Sequence, residues 1–231
     1  MGKALTLNTT GIYKEINGKL QETQVDLDEA KRLYQEDFLS VYPKVFFNRM
    51  KKLKGWQSDI GGKIQKEWNL TSAIDFGCAS GFYLFGMFSN GAKIKGFEYS
   101  FENSKHLIPE EIKDMIHFGD VQEDLVDGKY DLSMSIEVAE HIMPDKSEQF
   151  VRNLAESSEK YIVLSAAEPG DGGTGHINCR IFSEWTDMFE KYGFAVSKED
   201  TKILRGIFKS LKRPTKYSNV LSRKVHFLKK V

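Results

Sequence analysis

The chain has 231 residues, 40% of them hydrophobic, with 33 Lys and Arg against 33 Asp and Glu. That fits one α/β domain with some decoration and enough apolar content for a sizeable core. It holds no repeat, no low-complexity segment and no apolar run near the ~18 residues a membrane span needs.

The opening "MGKALTLNTTG" has no apolar stretch of signal-peptide length, and Gly2 heads only a poor partial match to a myristoylation signal. The two cysteines, Cys78 and Cys179, suggest no disulfide framework, so the expected compartment is the reducing cytoplasm. Charge is unevenly spread. Residues 202–231 carry ten Lys and Arg and no acid, leaving 33 − 10 = 23 basic against 33 acidic residues in the rest. That basic end is a candidate anion-binding surface.

In chain order, residues 12–22 alternate apolar and polar around Asn17-Gly18, which predicts a β-hairpin. From Asp26 to Trp68 the apolar spacing is helical, with a break at Pro43 and a second helix from Asp59 to Trp68. Strand and helix then alternate. Strands are predicted at Ser72–Phe76, Ile94–Tyr99, Ile116–Gly119, Tyr130–Ile136 and Tyr161–Ala166. Helices are predicted at Phe82–Ser89, Phe101–His106, Ser147–Ser158 and Ser183–Tyr192. This order implies a parallel sheet covered by helices. Phe194–Leu204 and Val220–Leu228 read as two more strands forming an antiparallel closing edge. The expected fold is α/β: a doubly wound, mostly parallel, Rossmann-like seven-stranded sheet over 71–231, preceded by a hairpin and helical segment over 1–70.

The first of these strands runs into "AIDFGCASG", residues 73–81. Ligands in such sheets bind beyond the strands' carboxyl ends, where glycines let the backbone approach closely and a helix N-terminus offers unpaired N–H groups. Asp75 can take a cation or a hydroxyl there. Glu98 ends the next strand, at the distance an acid needs to hold ribose hydroxyls. Asp120 follows the third, placed to meet an adenine amino group, with Val121 beside the ring; ordinary turn chemistry also accounts for an Asp after Gly.

Together "DFGCASG", "GFEYS", "FGDVQ" and "YDLSMSIEVAEHI" resemble class I S-adenosylmethionine-dependent methyltransferases over roughly residues 72–194. The resemblance implies S-adenosylmethionine as cofactor, held by Asp75, Gly77, Ala79, Ser80, Gly81, Tyr83, Glu98, Tyr99, Asp120, Val121 and Glu137. It also implies an N-terminal helical lid over cofactor and acceptor. Ala79 departs from the family, which often has Gly there. The G-x-G-x-x-G of dinucleotide enzymes is absent, which disfavours NAD.

Methyl transfer to a hydroxyl gains from a base, and two stretches offer one. Glu137, Glu140 and His141 are expected on one face of a helical turn. His176 and Asn178 lie in the glycine-rich "GDGGTGHINCRIFSEW". His176 is the first candidate base and His141 the second. His106 and His117 receive no role, His226 reads as structural, and Phe46-Phe47 read as core. "IEVAEHI" and "GGTGHINCRIFSEW" are similar to methyltransferases of carbohydrate and secondary-metabolite pathways, implying a sugar or other small-metabolite hydroxyl as acceptor, anionic or neutral. Glu137, Glu140, His141 and His176 also resemble locally the metal set of small-RNA 3′-terminal 2′-O-methyltransferases. RNA with a divalent cation is therefore the alternative, and the metal is not the favoured reading. A cofactor-binding protein without catalysis is a further possibility, against which the bases at 141 and 176 argue. The sequence leaves the oligomeric state open.

Overall fold

A computed structural model describes residues 9–16, 19–33, 42–126, 128–211 and 217–231. Strands β1 (Thr9–Ile16) and β2 (Lys19–Asp26) pair antiparallel from Thr9↔Asp26 to Ile16↔Lys19. This is the expected hairpin, although Asn17-Gly18 itself lies outside the described residues. The long helix expected from Asp26 is in pieces. Helix α1 covers 27–33, with the Asp26 carboxylate accepting the Glu29 N–H at 2.8 Å. Helix α2 (Lys44–Met50) follows Pro43, whose extended backbone explains the break, and a 3₁₀ turn at Lys51–Leu53 leads into α3 (Lys54–Glu67). The expected stretch across 34–41 lies outside the described residues. Helix α3 begins five residues before the predicted Asp59, because Trp56, Ile60 and Ile64 already form its buried stripe.

The main sheet contains β3 (Ser72–Phe76), β4 (Lys93–Glu98), β5 (Ile116–Phe118), β6 (Tyr130–Ile136), β7 (Ser158–Ser165), β8 (Phe194–Val196) and β9 (His226–Lys230). Their order is β5-β4-β3-β6-β7-β9-β8, parallel except for β9, which is antiparallel to both β7 and β8. Helices α4 (Phe82–Phe88), α5 (Phe101–Ser104), α6 (Ser147–Ser157) and α7 (Phe182–Glu190) connect the strands near the predicted positions.

The C-terminal prediction needs correction. Most of Phe194–Leu204 is not strand, because α8 spans Lys198–Ser210, and most of Val220–Leu228 belongs to α9 (Tyr217–Lys224). Ser197 caps α8, its hydroxyl accepting the Asp200 N–H, and Thr201, Leu204 and Phe208 recur at helical spacing on the buried side. The antiparallel closing edge remains, made by the short β8 and β9.

Successive side chains of the central strands serve opposite faces. Ala73, Leu132 and Val163 meet α3, α4 and α8 through Ile60, Ile64, Leu84, Met87, Leu204 and Phe208. Ile74, Ile162 and Leu164 meet α6 and α7 through Phe150, Leu154, Trp185 and Phe189. From β3 the chain steps outward to β4 and β5, then returns to β6 and moves the other way. That reversal opens a crevice above the carboxyl ends of β3 and β6. Among the described residues, no helix is long and apolar enough to cross a membrane.

Candidate active site

A cavity occupies this crevice. Its floor is the turn after β3, where Gly77 and Ala79 have φ of +79° and +51°. A Cβ at Gly77 would lie 2.5 Å from Cγ2 of Val138, so that position combines a left-handed backbone with a close approach. The N–H groups of Gly77 and Cys78 donate to the Phe97 carbonyl at 2.8 and 3.0 Å. The Ala79 N–H donates to Glu98 Oε2 at 2.8 Å, and the Ser100 N–H to Oε1 at 2.8 Å. One carboxylate thus clamps the turns after β3 and β4 together. Burial raises its pKa, and the two N–H donors oppose that rise.

Asp75 is buried, and burial first, then the nearby Glu98, pushes its carboxyl well above the usual range. Its Oδ1 has no hydrogen-bond partner, and neither has the Ser100 hydroxyl. Both residues line the cavity, where buried polar atoms of this kind call for a ligand. Burial also raises the Cys78 thiol well above its ordinary value, so it is not a nucleophile at neutral pH.

The far wall is the turn after β5. Asp120 Oδ1 accepts the Gln122 N–H at 2.9 Å, and the buried Asn153 holds the turn by donating to the carbonyls of Val121 (2.9 Å) and Glu123 (2.6 Å). Of the residues singled out from sequence for the cofactor, all but Gly81 line the cavity. Gly81 (φ +68°) instead packs beneath it, against Ile112 and Ile116.

At the end of β6 the backbone does not form the expected α-helical turn. Glu137 has φ +56°, and a 3₁₀ turn follows at Ala139–His141. Glu140 therefore parts from the other two. Glu137 lines the cavity and its Oε1 accepts from the Ser165 hydroxyl at 2.9 Å; burial, then Glu140, raises its pKa to about 7. His141 also lines the cavity. Glu140 turns away from it and is fully buried. Burial raises its pKa to about 7, opposed by the N–H groups of Glu140 and Ala167, yet neither carboxylate oxygen has a well-formed hydrogen bond.

His176 is not on the cavity wall. It sits behind His141, with ring centroids 5.0 Å apart, and its Nε2 is 3.9 Å from Glu140 Oε1. Burial lowers the pKa of His141 to about 4, and burial plus His141 lowers that of His176 to about 3. With the histidine lowered, the 3.9 Å contact is not an ion pair, because His176 is neutral at neutral pH. The loop holding His176 is fixed by β1: the Thr10 hydroxyl donates to the Gly173 carbonyl (3.1 Å) and accepts the His176 N–H (2.9 Å). Ligand atoms of Glu140, His141 and His176 all lie within 4.8 Å of one another, whereas Glu137 is outside that group.

The near wall comes from the N-terminal segment through Tyr42, Phe46, Phe47, Met50 and Gln57. Phe47 is core, as expected, and wall as well. Tyr42 carried no signal in the sequence. Its hydroxyl lies 2.7 Å from His141 Nδ1, a contact separated by 99 residues. Among the described residues, no Lys or Arg lines the cavity. Part of the basic C-terminal stretch is used internally: Lys224 pairs with Asp171, Lys229 with Asp200 at 2.7 Å, and Arg205 donates to the Val225 carbonyl at 3.1 Å.

No protein-family model matches the sequence, and no curated protein does. Solved structures do. Magnesium protoporphyrin IX methyltransferase (ChlM) from Synechocystis PCC 6803 with bound SAM is 14% identical at a TM-score of 0.54, over 88% of this chain and 90% of that one. The O-methyltransferase from a trans-AT PKS multienzyme of Brevibacillus brevis, in complex with S-adenosyl-L-homocysteine, is 17% identical at 0.51, over 88% and 76%. SAM-bound CalS10, an amino pentose methyltransferase from Micromonospora echinaspora, is 11% identical at 0.52, over 77% and 91%. The likeness is one of fold: this chain shares with these methyltransferases a Rossmann-like, mostly parallel seven-stranded sheet with an antiparallel closing edge.

Proposed function

We propose that the chain is an S-adenosylmethionine-dependent methyltransferase acting on a hydroxyl of a sugar or other small metabolite. The observation that carries the reading is the cavity at the switch point, with Asp75, the 77–80 turn, Glu98 and Asp120 on one side and Glu137 and His141 on the other. In this reading Glu98 takes the ribose hydroxyls. Each of its oxygens accepts one backbone N–H and has a further lone-pair site. Asp120 and Val121 take the adenine, Tyr99 flanks it, and Asp75, Ser80, Tyr83 and Glu137 surround the amino-acid end, with Gly81 supporting the turn. Residues 1–70 serve as lid to the domain at 71–231, and Phe46, Phe47 and Met50 exclude water.

Bound S-adenosylmethionine supplies an electrophilic methyl group on a sulfonium. The protein has to align the acceptor oxygen with it and take the proton that the oxygen loses. His141, neutral at physiological pH, is placed to accept that proton, and His176 supports it from behind.

Calorimetry with S-adenosylhomocysteine tests the cofactor reading, and micromolar binding is expected. A panel of hydroxylated acceptors incubated with methyl-deuterated cofactor tests the reaction by mass spectrometry. No heat of binding at millimolar ligand would overturn the proposal.

The orphaned Glu140 carboxylate favours one further reading, in which a divalent cation sits among Glu140, His141 and His176. It would lower the acceptor hydroxyl's pKa, and an RNA 2′-hydroxyl becomes an acceptor to test. Cobalt(II) added to chelator-treated protein should then give a visible d–d spectrum that Glu140→Gln lacks. No spectrum, together with turnover indifferent to chelator, would remove the cation and leave the cofactor reading standing.

A further inference from the structure

We propose that Tyr42 is a positioning residue for the acceptor end, orienting the His141 ring, which the Gly175 carbonyl holds as the Nδ1–H tautomer, and tying that ring to the cofactor wall. The inference rests on His141 serving the acceptor.

Proton accounting leads to it. His141 Nδ1 is 2.7 Å from the Tyr42 hydroxyl oxygen and 2.9 Å from the Gly175 carbonyl oxygen. The same hydroxyl is 3.1 Å from the Thr174 carbonyl oxygen. Both carbonyls can only accept, and a phenol has one proton to give. These three contacts are satisfied together in one arrangement: Tyr42 donates to Thr174, and the His141 Nδ1–H is shared between Gly175 and the phenol oxygen. In the opposite tautomer the Nδ1 lone pair would face the Gly175 carbonyl lone pairs. Nε2 is therefore the ring nitrogen without a proton in this tautomer, whichever chemistry operates at the acceptor.

Tyr42 is itself held from the other side of the cavity. Its carbonyl accepts from Asn103 Nδ2 at 3.0 Å. Asn103 belongs to α5, one turn beyond Ser100, whose N–H binds Glu98. A chain of short contacts thus runs from the Glu98 carboxylate through α5 and Tyr42 to the His141 ring. Edge-to-face packing of Tyr42 on His141, centroids 5.4 Å apart at 80°, fixes the ring plane.

The test is the imidazole ¹⁵N–¹H long-range spectrum of the full chain with S-adenosylhomocysteine, His141 being assigned by its absence in His141→Asn. The wild type is expected to show the Nδ1–H pattern. Tyr42→Phe should keep the Nδ1–H pattern, shift the His141 Nδ1 resonance as one of its two acceptors is lost, and lower turnover about two- to tenfold, the worth of one hydrogen bond, without changing S-adenosylhomocysteine affinity. An Nε2–H pattern in the wild type, or His141 signals unmoved in Tyr42→Phe, would overturn the proposal. Should Tyr42→Phe fail to fold, Asn103→Ala, which releases the Tyr42 carbonyl, should move the same His141 signals, and unmoved signals there would overturn the proposal. Loss of S-adenosylhomocysteine binding by the wild type would count against the cofactor reading instead, because the tautomer can be read without it.

Discussion

Glu98→Ala tests the site and the fold in one experiment. The carboxylate is buried and accepts two backbone N–H groups, Ala79 at 2.8 Å and Ser100 at 2.8 Å. Removing it leaves both donors without their partner, at about 1–3 kcal/mol each. Part of that is recovered, because burial disfavours the charge and Asp75 beside it is relieved of a repulsive neighbour. A net loss of about 3 kcal/mol is expected, or a fall of roughly 6–12 °C in Tm for a chain of this size. Ala79 holds a left-handed φ of +51° without glycine's freedom, so its turn depends on this clamp more than a glycine would.

Cofactor affinity should fall further than the fold does. Losing even one charge-assisted bond to a ribose hydroxyl, at ~1.5–3 kcal/mol, weakens binding at least about tenfold. Glu98→Gln separates the two effects. It keeps the shape but turns an NH₂ toward one of the two N–H donors, so it should fall between wild type and Glu98→Ala in both measurements. The assays are differential scanning calorimetry and titration with S-adenosylhomocysteine at a temperature where every variant is folded. Unchanged affinity in Glu98→Ala, with Tm also unchanged, would refute both the clamp and the ribose assignment.

Three other outcomes are expected. Gly86→Ala should cost about 3 kcal/mol or more, because its Cβ would sit 1.8 Å from the Ser58 carbonyl where α3 and α4 touch, whereas Gly55→Ala, with open space around it, should be neutral or stabilise by up to ~1 kcal/mol; chemical denaturation compares them. Asp131→Asn should cost about 2–3 kcal/mol, since Asp131 accepts from the Thr71 N–H and hydroxyl at 2.7 Å each and pairs with Lys160 at 2.6 Å. Burial raises that carboxyl, but the bonds from Lys160 and Thr71 together outweigh it and hold its pKa low, so its stabilisation is present above pH ~4 and is lost as pH falls through its folded value, where wild type and variant should converge. Glu140 has the opposite sign: raised by burial from 4.5 to about 7, it favours folding fully below pH ~4.5 and loses that contribution as pH rises to ~7. That rise is worth roughly 3 kcal/mol, so Glu140→Gln should melt higher than metal-free wild type at pH 8 and the gap should close at pH 5; a constant gap would show that this carboxylate is not the titrating group.

Most of the sheet was legible in the sequence because its strands are short apolar runs punctuated by Gly, Asp and Ser. The strands Ser72–Phe76 and Tyr130–Ile136 were placed at their observed ends. The acids Asp75, Glu98 and Asp120 were legible for the same reason, since a strand's end fixes where the next side chain emerges. The C-terminal helices were missed although their signal was present. Ser197 with Asp200 three residues on is a helix start, and Thr201, Leu204 and Phe208 keep helical spacing, but the β-branched and aromatic residues around them read equally well as strand.

What the sequence determined by itself is therefore local: strand ends, the positive-φ turn after β3, the hairpin, and the types of residue at the crevice. Which histidine faces the cavity was decided by tertiary structure alone. Glu140 parts from Glu137 and His141 because Glu137 adopts φ +56° and the following turn is 3₁₀, so the spacing of an α-helix does not apply. His176 is drawn behind His141 because the Thr10 hydroxyl, 166 residues away, binds its N–H. Tyr42 joins the site through a contact across 99 residues. Side-chain periodicity reports only which face of an element is buried. Where two loops meet depends on hydrogen bonds made between segments remote in the chain, and their partners leave no pattern in either segment alone.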